Sequence, residues 1–173
     1  MIKKKYDVLE KYHLINEEAY FSEAFSRNIG LFTLADQKKL KNSRVAIPGL
    51  GGVGGVHLIT MVRSGVGKFN IADFDIFEPA NVNRQYGATL EDFGRPKIKV
   101  MKERALAINP FIEINEFPDG VTPENLDCFL DDVDIVIDGL DFFKFEIRRL
   151  LFKKAAKKGI YVITAGPMGF SSA

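Results

Sequence analysis

Residues 49–54 have the spacing of a phosphate-binding glycine loop. They read Gly-Leu-Gly-Gly-Val-Gly, follow the apolar run 44–48 and open a second apolar run; the glycines are Gly49, Gly51, Gly52 and Gly54. This pattern predicts a strand, a glycine turn and a helix N-terminus, whose free N–H groups cradle phosphates when no side chain blocks the approach. Asp73 ends the next β-rich run about 20 residues further on, where an acidic residue meets a ribose hydroxyl in a βαβ unit. A tight turn without a ligand is the alternative, and Asp73 at this distance argues against it.

A second group of polar residues is Gly94-Arg95-Pro96-Lys97. Proline is favoured at the first position of a helix, so Arg95 and Lys97 are expected to flank a helix N-terminus. Cations there oppose the helix dipole at a cost of a few tenths of a kcal/mol. This placement favours an anion that the two side chains bind. The alternative is that Lys97 extends into solvent.

Two carboxylates, Asp138 and Asp141, follow an apolar run that begins at Val133. In open α/β sheets the carboxyl ends of the strands form the ligand-binding edge. A carboxylate beside a triphosphate can hold Mg²⁺, which prefers oxygen ligands and keeps most of its waters. Either aspartate could instead cap the following helix. The chemistry alone leaves both interpretations open.

From residue 44 onward, β-rich runs alternate with helical periods, which is typical of a parallel sheet covered by helices. Strands are predicted at residues 44–48, 68–73, 111–116, 133–138 and 160–164, with Pro48 ending the first of them. Helices are predicted at 53–63, 96–108, 122–130 and 143–158. Right-handed crossovers then predict a Rossmann-like three-layer α/β domain with strand order 3-2-1-4-5.

Residues 1–43 are more polar and prone to form helices, which we expect at 16–21 and 33–40. We therefore divide the chain into an N-terminal helical arm, residues 1–43, and a nucleotide-binding domain, residues 44–173.

Composition excludes several classes of protein. Lys and Arg number 24 against 23 Asp and Glu, so the net charge of +1 indicates no general attraction to nucleic acid or membranes. No apolar run approaches the ~20 residues that span a bilayer, and the basic start lacks the apolar stretch of a signal peptide. The single cysteine, Cys128, excludes an internal disulfide and a CxxC zinc site within these residues. We expect a cytoplasmic protein.

The motifs resemble, in this order, the ThiF/MoeB/HesA superfamily, the adenylating domain of ubiquitin-activating-type enzymes. The resemblance runs from about Arg27 to the C-terminus. The motifs that carry it are residues 49–54, Gly65-Val66-Gly67, Asp73-Phe74-Asp75, Asn81-Val82-Asn83-Arg84-Gln85, Gly94-Arg95-Pro96-Lys97, Asn109-Pro110 and Asp138-Gly139-Leu140-Asp141.

The resemblance implies ATP-dependent adenylation of the C-terminal carboxylate of a ubiquitin-like or sulfur-carrier protein or of a peptide, with release of pyrophosphate. It places Gly52 in the nucleotide loop, Asp73 at the ribose, Arg84 and Lys97 at the phosphates, and Asp141 at Mg²⁺. The other nucleotide-binding residues that it implies are Gly49, Gly51, Gly54, Asp75, Asn81 and Gln85. It also implies a homodimer in which Arg27, from the N-terminal arm, reaches the ATP phosphates of the partner protomer.

The sequence departs from the family pattern at three places. Phe142 stands where asparagine usually follows the metal-binding aspartate, and Pro48 replaces a small or β-branched residue. The domain is expected to be incomplete at its C-terminus, because family members continue past the fifth strand with more sheet, a reactive cysteine and often zinc-binding cysteines. The chain is then a fragment or a naturally reduced form.

Two other functions remain as alternatives: a catalytically silent nucleotide-binding or scaffold subunit of the same fold, and an NAD-dependent dehydrogenase. The acceptor also stays open, since a sulfur carrier, a peptide or a tRNA base is compatible with the family. Cys128 is not expected to be a nucleophile, because it has no helix N-terminus or fixed cation to stabilise a thiolate and has acidic neighbours.

Overall fold

The computed structural model describes residues 2–168 and 171–172, with side chains described for residues 7–166. Five parallel strands form one sheet in the order β3-β2-β1-β4-β5, which confirms the predicted topology. The strands are β1 (Arg44–Pro48), β2 (Lys68–Ala72), β3 (Glu113–Phe117), β4 (Ile135–Asp138) and β5 (Tyr161–Thr164). Two further strands, β6 (Pro167–Met168) and β7 (Ser171–Ser172), pair antiparallel.

Helices cover both faces of the sheet and precede it. They are α1 (Ile2–Lys11), α2 (Glu17–Ala24), α3 (Leu34–Asn42), α4 (Gly54–Ser64), α5 (Lys97–Ile108), α6 (Leu126–Phe129) and α7 (Phe145–Lys157). The sequence indicated α2 and α3, and α3 starts with a capping box in which Thr33 and Asp36 bind each other's backbone amide. It did not indicate α1.

Several predicted elements are shorter in the structure by one or more residues, and side chains bind nearby amides at two of them. β3 begins at Glu113 instead of residue 111, because Asn109 Oδ1 accepts the Phe111 amide at 3.0 Å and forms an Asx turn. The helix predicted at 122–130 is confined to α6. Thr122 and Asn125 exchange side chain–backbone bonds of 2.9 and 3.3 Å, which hold the preceding residues in a turn.

β1, the central strand of the sheet, is buried on both sides, which explains why it reads as a continuous apolar run. Side chains of β1 alternate between two cores. Val45 and Ile47 pack with α4 and α5, whereas Ala46 packs with α6 and α7. This arrangement places the carboxyl ends of β2, β1 and β4 side by side at one edge.

The N-terminal segment packs against the sheet domain. Gln37 is buried, and its Nε2 donates to Ser64 O at the end of α4 at 3.0 Å. Asn28 Nδ2 donates to Gln37 Oε1 at 2.8 Å, and the Gly67 amide donates to Leu40 O. These bonds anchor residues 28–40; the division of the chain at residue 43 stays a prediction.

Pro48 ends the pairing of β1 with β4. β1 pairs with β2 along all five residues, but its register with β4 contains only Val45 and Ala46. Pro48 O accepts the Gly139 amide at 3.0 Å, so the proline nitrogen also faces β4, where it has no hydrogen to donate. The strand therefore ends where the sequence predicted.

Backbones of β1 and β4 approach so closely past this point that only glycine fits. Gly49 has φ +86°, and a Cβ added to it would collide with Gly139 O. A Cβ on Gly139 would lie 2.6 Å from Gly49 O, and one on Gly54 would also collide with that oxygen. Gly49 and Gly54 therefore pack backbone against backbone.

Replacing Gly49 with alanine should destabilise the fold by about 3 kcal/mol, because a left-handed backbone and a steric overlap are both penalised. Gly159→Ala is the matched control: Gly159 has φ +72° but open space around its Cβ position, so only the backbone term of about 1 kcal/mol applies. Urea unfolding measures both free energies. Equal losses in the two variants would contradict the close packing.

Candidate functional site

The glycine loop presents unpaired backbone amides at the N-terminus of α4. Within the described residues, the amides of Gly51, Gly52 and Val53 have no acceptor. The Leu50 amide is already used, because it donates to Asp73 Oδ2 at 2.6 Å. The loop can therefore offer three N–H groups to an anion, and α4 contributes its dipole.

Asp73 joins two loops through its carboxylate. Besides the Leu50 amide, it accepts the Asp75 amide on Oδ1 at 2.8 Å. Burial raises the pKa of Asp73, while the two amide bonds and the positive charge of Lys97 act in the opposite direction. Both oxygens are occupied, so Asp73 holds the glycine loop against the loop that follows β2, in addition to any contact it makes with a ribose.

Six predicted residues line one cavity of about 270 Å³ at the carboxyl edge of the sheet. Its lining consists of Asp75, Ile76, Glu78, Asn81, Arg84, Gln85, Lys97 and Asp141. A more open cavity of about 370 Å³ lies near the amino ends of β4 and β5, beside Asp132 and Lys158, and contains none of the predicted residues. Ligands of open α/β sheets bind at the carboxyl edge, so the smaller cavity is the candidate site.

Lys97 is a nearly buried cation, with 7% of its side chain exposed, and it lies 3.1 Å from Asp75 Oδ2. Its amide donates to Asp75 O at 2.9 Å, and α5 begins at Lys97 with Pro96 at the capping position, one residue later than expected. The interpretation of Lys97 as a solvent-extended side chain is therefore wrong. Lys97 is a buried cation at a helix N-terminus, paired with Asp75 and directed at the cavity.

The loop after β2 places Arg84 and Gln85 next to the glycine loop. A Cβ on Gly52 would lie 3.2 Å from Arg84 O, and one on Gly51 would lie 3.7 Å from Gln85 Nε2. Gln85 is 7% exposed, and its Oε1 has no hydrogen-bond partner among the described residues. The side chain of Arg84 is exposed and binds Ala80 O at 3.0 Å. Asn81 Oδ1 accepts the Glu78 amide at 3.0 Å and so shapes the loop.

The two aspartates after β4 have different surroundings. Asp138 is buried and accepts bonds from Arg148 Nε, Thr164 Oγ1 and the Leu140 amide, at 2.8, 3.0 and 3.0 Å. Asp141 is exposed at the cavity, and among the described residues its side chain accepts only the Phe143 amide, at 3.0 Å. Asp138 is therefore structural, and Asp141 keeps an oxygen for a ligand. Sequence reasoning missed Arg148, which no motif marked.

Arg27 and Cys128 lie outside the cavity. Arg27 is exposed in the short 3-10 turn Ser26–Asn28 and has no ion pair within the described residues. Cys128 is exposed on α6. A single chain therefore does not bring Arg27 to the other predicted residues.

Comparisons with known proteins find relatives that match most of the chain. The model of the ThiF family matches residues 25–173. The tRNA threonylcarbamoyladenosine dehydratase of Bacillus subtilis is 38% identical over 142 residues, which cover 82% of this chain and 55% of the relative. The sulfur carrier protein ThiS adenylyltransferase of Escherichia coli is 33% identical over 148 residues, which cover 84% and 58%.

The crystal structure of E. coli tRNA N6-threonylcarbamoyladenosine dehydratase, TcdA, in complex with ATP has a TM-score of 0.82 at 26% identity, covering 91% of this chain and 63% of that one. The chain thus spans a little over half the length of these two curated relatives. In the part that the structure describes, no helix has the length and apolar character to cross a membrane.

Replacing Asp73 with asparagine should lower the free energy of unfolding by about 1–3 kcal/mol, because the new NH₂ group would face an amide that needs an acceptor. The substitution should also weaken ATP binding by releasing the glycine loop. Asp119→Asn, at an exposed position after β3, is the control and should stay within about 0.5 kcal/mol of the wild type. Urea unfolding measures the stability of the two variants, and titration measures their ATP affinity. An Asp73 variant as stable as the control would refute the role of Asp73 in joining the two loops.

Proposed function

Because the chain belongs to the ThiF family, we propose that it uses ATP to adenylate a carboxylate and releases pyrophosphate. The observation that carries the proposal is the shared cavity of Lys97, Arg84 and Asp141, next to the unpaired amides of the glycine loop. A buried lysine, an arginine, a carboxylate and free N–H groups together form a site for a polyphosphate.

In this reaction a substrate carboxylate oxygen attacks the α-phosphorus, a new C–O–P bond forms, and the bond to the β-phosphate oxygen breaks. Negative charge develops on the phosphate oxygens in the transition state. Lys97 and the amides of Gly51 and Gly52 are fixed before substrate arrives, so they stabilise that charge with little reorganisation. No nucleophile from the protein is needed, which agrees with the position of Cys128 outside the cavity.

Mg²⁺ enters the proposal through Asp141. The described residues contain no cluster of three His, Cys, Asp or Glu side chains suited to a metal. A magnesium ion that accompanies ATP needs only one or two carboxylates besides phosphate oxygens and water, and one oxygen of Asp141 has no partner in the part of the chain that the structure describes. Its chemistry when bound would be charge neutralisation on the phosphates.

Two kinds of substrate are candidates. The first is the C-terminal carboxylate of a ubiquitin-like or sulfur-carrier protein or of a peptide, in line with the relative named as a ThiS adenylyltransferase. The second is a carboxylate on a modified tRNA nucleoside, favoured by the relatives named as tRNA threonylcarbamoyladenosine dehydratases. An acyl adenylate is compatible with both, because AMP is a good leaving group.

The alternative functions make different predictions for the same cavity. A silent scaffold subunit has no need for a buried lysine, an arginine and a free carboxylate around one cavity, and a dehydrogenase needs only the glycine loop and Asp73. Pyrophosphate exchange that depends on a carboxylate substrate distinguishes the enzyme from the scaffold. Parallel titrations with ATP and NAD distinguish adenylation from hydride transfer.

Lys97→Ala should weaken ATP binding or the chemical step by about 2–4 kcal/mol, because it removes a nearly buried cation from the phosphates. AMP binding should change much less. Lys99→Ala is the matched control, two residues along α5, where the ammonium is exposed and paired with Glu116. Calorimetric titration of both variants with ATP and AMP provides the measurement. If Lys97→Ala loses equal affinity for the two nucleotides, the assignment of Lys97 to the phosphates is wrong.

We also propose that residues 1–43 act as an arm that presents Arg27 to the site of a second copy. Apolar side chains beside Arg27 are exposed at Ile29, Leu31, Phe32 and Leu34, as expected for a surface that another chain covers. In a two-fold dimer one such interface would complete both sites.

Mixing an Arg27→Ala variant with a Lys97→Ala variant should restore pyrophosphate exchange to about a quarter of the wild-type level, because random exchange gives half heterodimers with one intact site each. Each variant alone should have little activity. Native mass spectrometry of isotopically labelled protomers shows whether the dimers exchange. Exchange of protomers without recovered activity would count against a shared site.

A further inference from the structure

Three exposed phenylalanines follow Asp141 directly. Phe142, Phe143 and Phe145 have 68, 79 and 51% of their surface exposed and pack edge to face, with ring centroids 5.4 Å apart. Solvent is a poor environment for three aromatic rings beside a polar cavity. These three residues are called here the aromatic cluster. Because they are exposed, packing in the hydrophobic core does not explain them.

The loop that carries the aromatic cluster is held in place. Arg148 donates to the carbonyls of Leu140, Asp141 and Phe142 at 2.6, 3.1 and 3.1 Å, and also to the buried Asp138. The Phe143 amide donates to Asp141 Oδ1. The exposed rings are therefore presented by a loop with defined bonds and adjoin Asp141, which lines the cavity.

A line of cations continues from the aromatic cluster along α7. Phe145, Arg149, Lys153 and Lys157 follow one another at intervals of four residues, so they lie about 6 Å apart along the helix. Arg149, Lys153 and Lys157 are exposed and have no ion pair within the described residues, whereas Arg148 and Lys154 are paired with Asp138 and Asp127. The three unpaired residues are called here the basic stripe.

The net charge of the whole chain conceals this local excess. Residues 144–158 contain seven Lys and Arg and a single acid, Glu146, whereas the net charge of the chain is +1. A polyanion would therefore meet this surface selectively, although the chain as a whole has no general attraction for one.

We propose that the aromatic cluster and the basic stripe bind a single-stranded segment of RNA and bring its carboxylate to the cavity that Asp141 lines; this identity of the substrate rests on the proposed carboxylate adenylation. Exposed rings that stack on bases, combined with cations that follow the phosphate backbone, are the two components of single-strand binding surfaces. Lys144, whose Nζ lies 5.5 Å from the ring centroid of Phe74, adds a cation between the cluster and the loop after β2.

A carrier protein fits this surface less well. Stable protein partners bury about 800 Å² on each side, and the centre of such an interface is depleted of charged residues. Here unpaired cations begin one helical turn from the exposed rings. Charge and stacking together therefore favour RNA over a folded protein.

The test of the basic stripe is the salt dependence of RNA binding. The probe is a fluorescein-labelled single-stranded RNA of twelve nucleotides, and its affinity is followed by anisotropy at several salt concentrations. The variant Arg149→Ala/Lys153→Ala/Lys157→Ala should bind at least tenfold more weakly, with the salt slope reduced by about 2. The control Lys11→Ala/Lys38→Ala/Lys39→Ala removes the same charge from exposed positions elsewhere. It should change neither the RNA affinity nor its salt dependence.

Substitutions of Phe143 test stacking. Phe143→Leu should weaken RNA binding about tenfold although it remains apolar, whereas Phe143→Tyr should preserve it. A protein that recognises an apolar surface would tolerate leucine. The same variants are therefore titrated with a ubiquitin-fold sulfur carrier protein.

ATP affinity is measured in parallel and should be unchanged in all of these variants. The proposal is overturned if the wild-type chain does not bind the RNA, or if both triple variants weaken RNA binding equally. It is also overturned if the chain binds the carrier protein and only the Arg149→Ala/Lys153→Ala/Lys157→Ala variant loses that binding. If the wild-type chain binds the RNA as expected but does not bind ATP, the proposed adenylation is refuted and the RNA-binding surface is not.

Discussion

The buried carboxylate of Asp73 connects the two loops from which the cavity is built. It accepts the Leu50 amide from the glycine loop and the Asp75 amide from the loop after β2. Asp75 in turn accepts the amide of Lys97 on its carbonyl and pairs with its ammonium. The amides of the glycine loop and the ammonium of Lys97 are thus positioned relative to each other through one side chain.

The strand on the other side of β1 uses the same principle. β4 ends in Asp138, a buried carboxylate that accepts bonds from the Leu140 amide, Thr164 and Arg148. A carboxylate removed from water has a high cost unless such donors surround it, so each loop is held in the one conformation that satisfies its aspartate. Asp141 then follows on a fixed loop and keeps its own oxygen available.

Most of the fold was predictable because its causes are local. Buried strands with glycine turns between them, and right-handed crossovers, were sufficient for the strand order, and the spacing between the glycine loop and Asp73 indicated the site. Pro48 ended β1 as expected, since a missing N–H has the same effect in any context.

The remaining features depend on contacts between distant parts of the chain. Only the assembled strands show that a Cβ at Gly49 would collide with Gly139. The same is true of the hydrogen bonds from Arg148 to the carbonyls after β4. Short-range competition explains the later start of β3, because the side chain of Asn109 binds an amide that the predicted strand required. No periodicity in the sequence reports such bonds.

The central claim is that the unpaired amides of the glycine loop bind the phosphates of ATP. Addition of ATP to the ¹⁵N-labelled chain tests it through the backbone amide resonances. The resonances of Gly51, Gly52 and Val53 should shift most, and that of Leu50 should move less, because its N–H is already donated to Asp73. Shifts centred on Asp132 and Asp134 at the opposite edge of the sheet, with the glycine loop unchanged, would contradict the account.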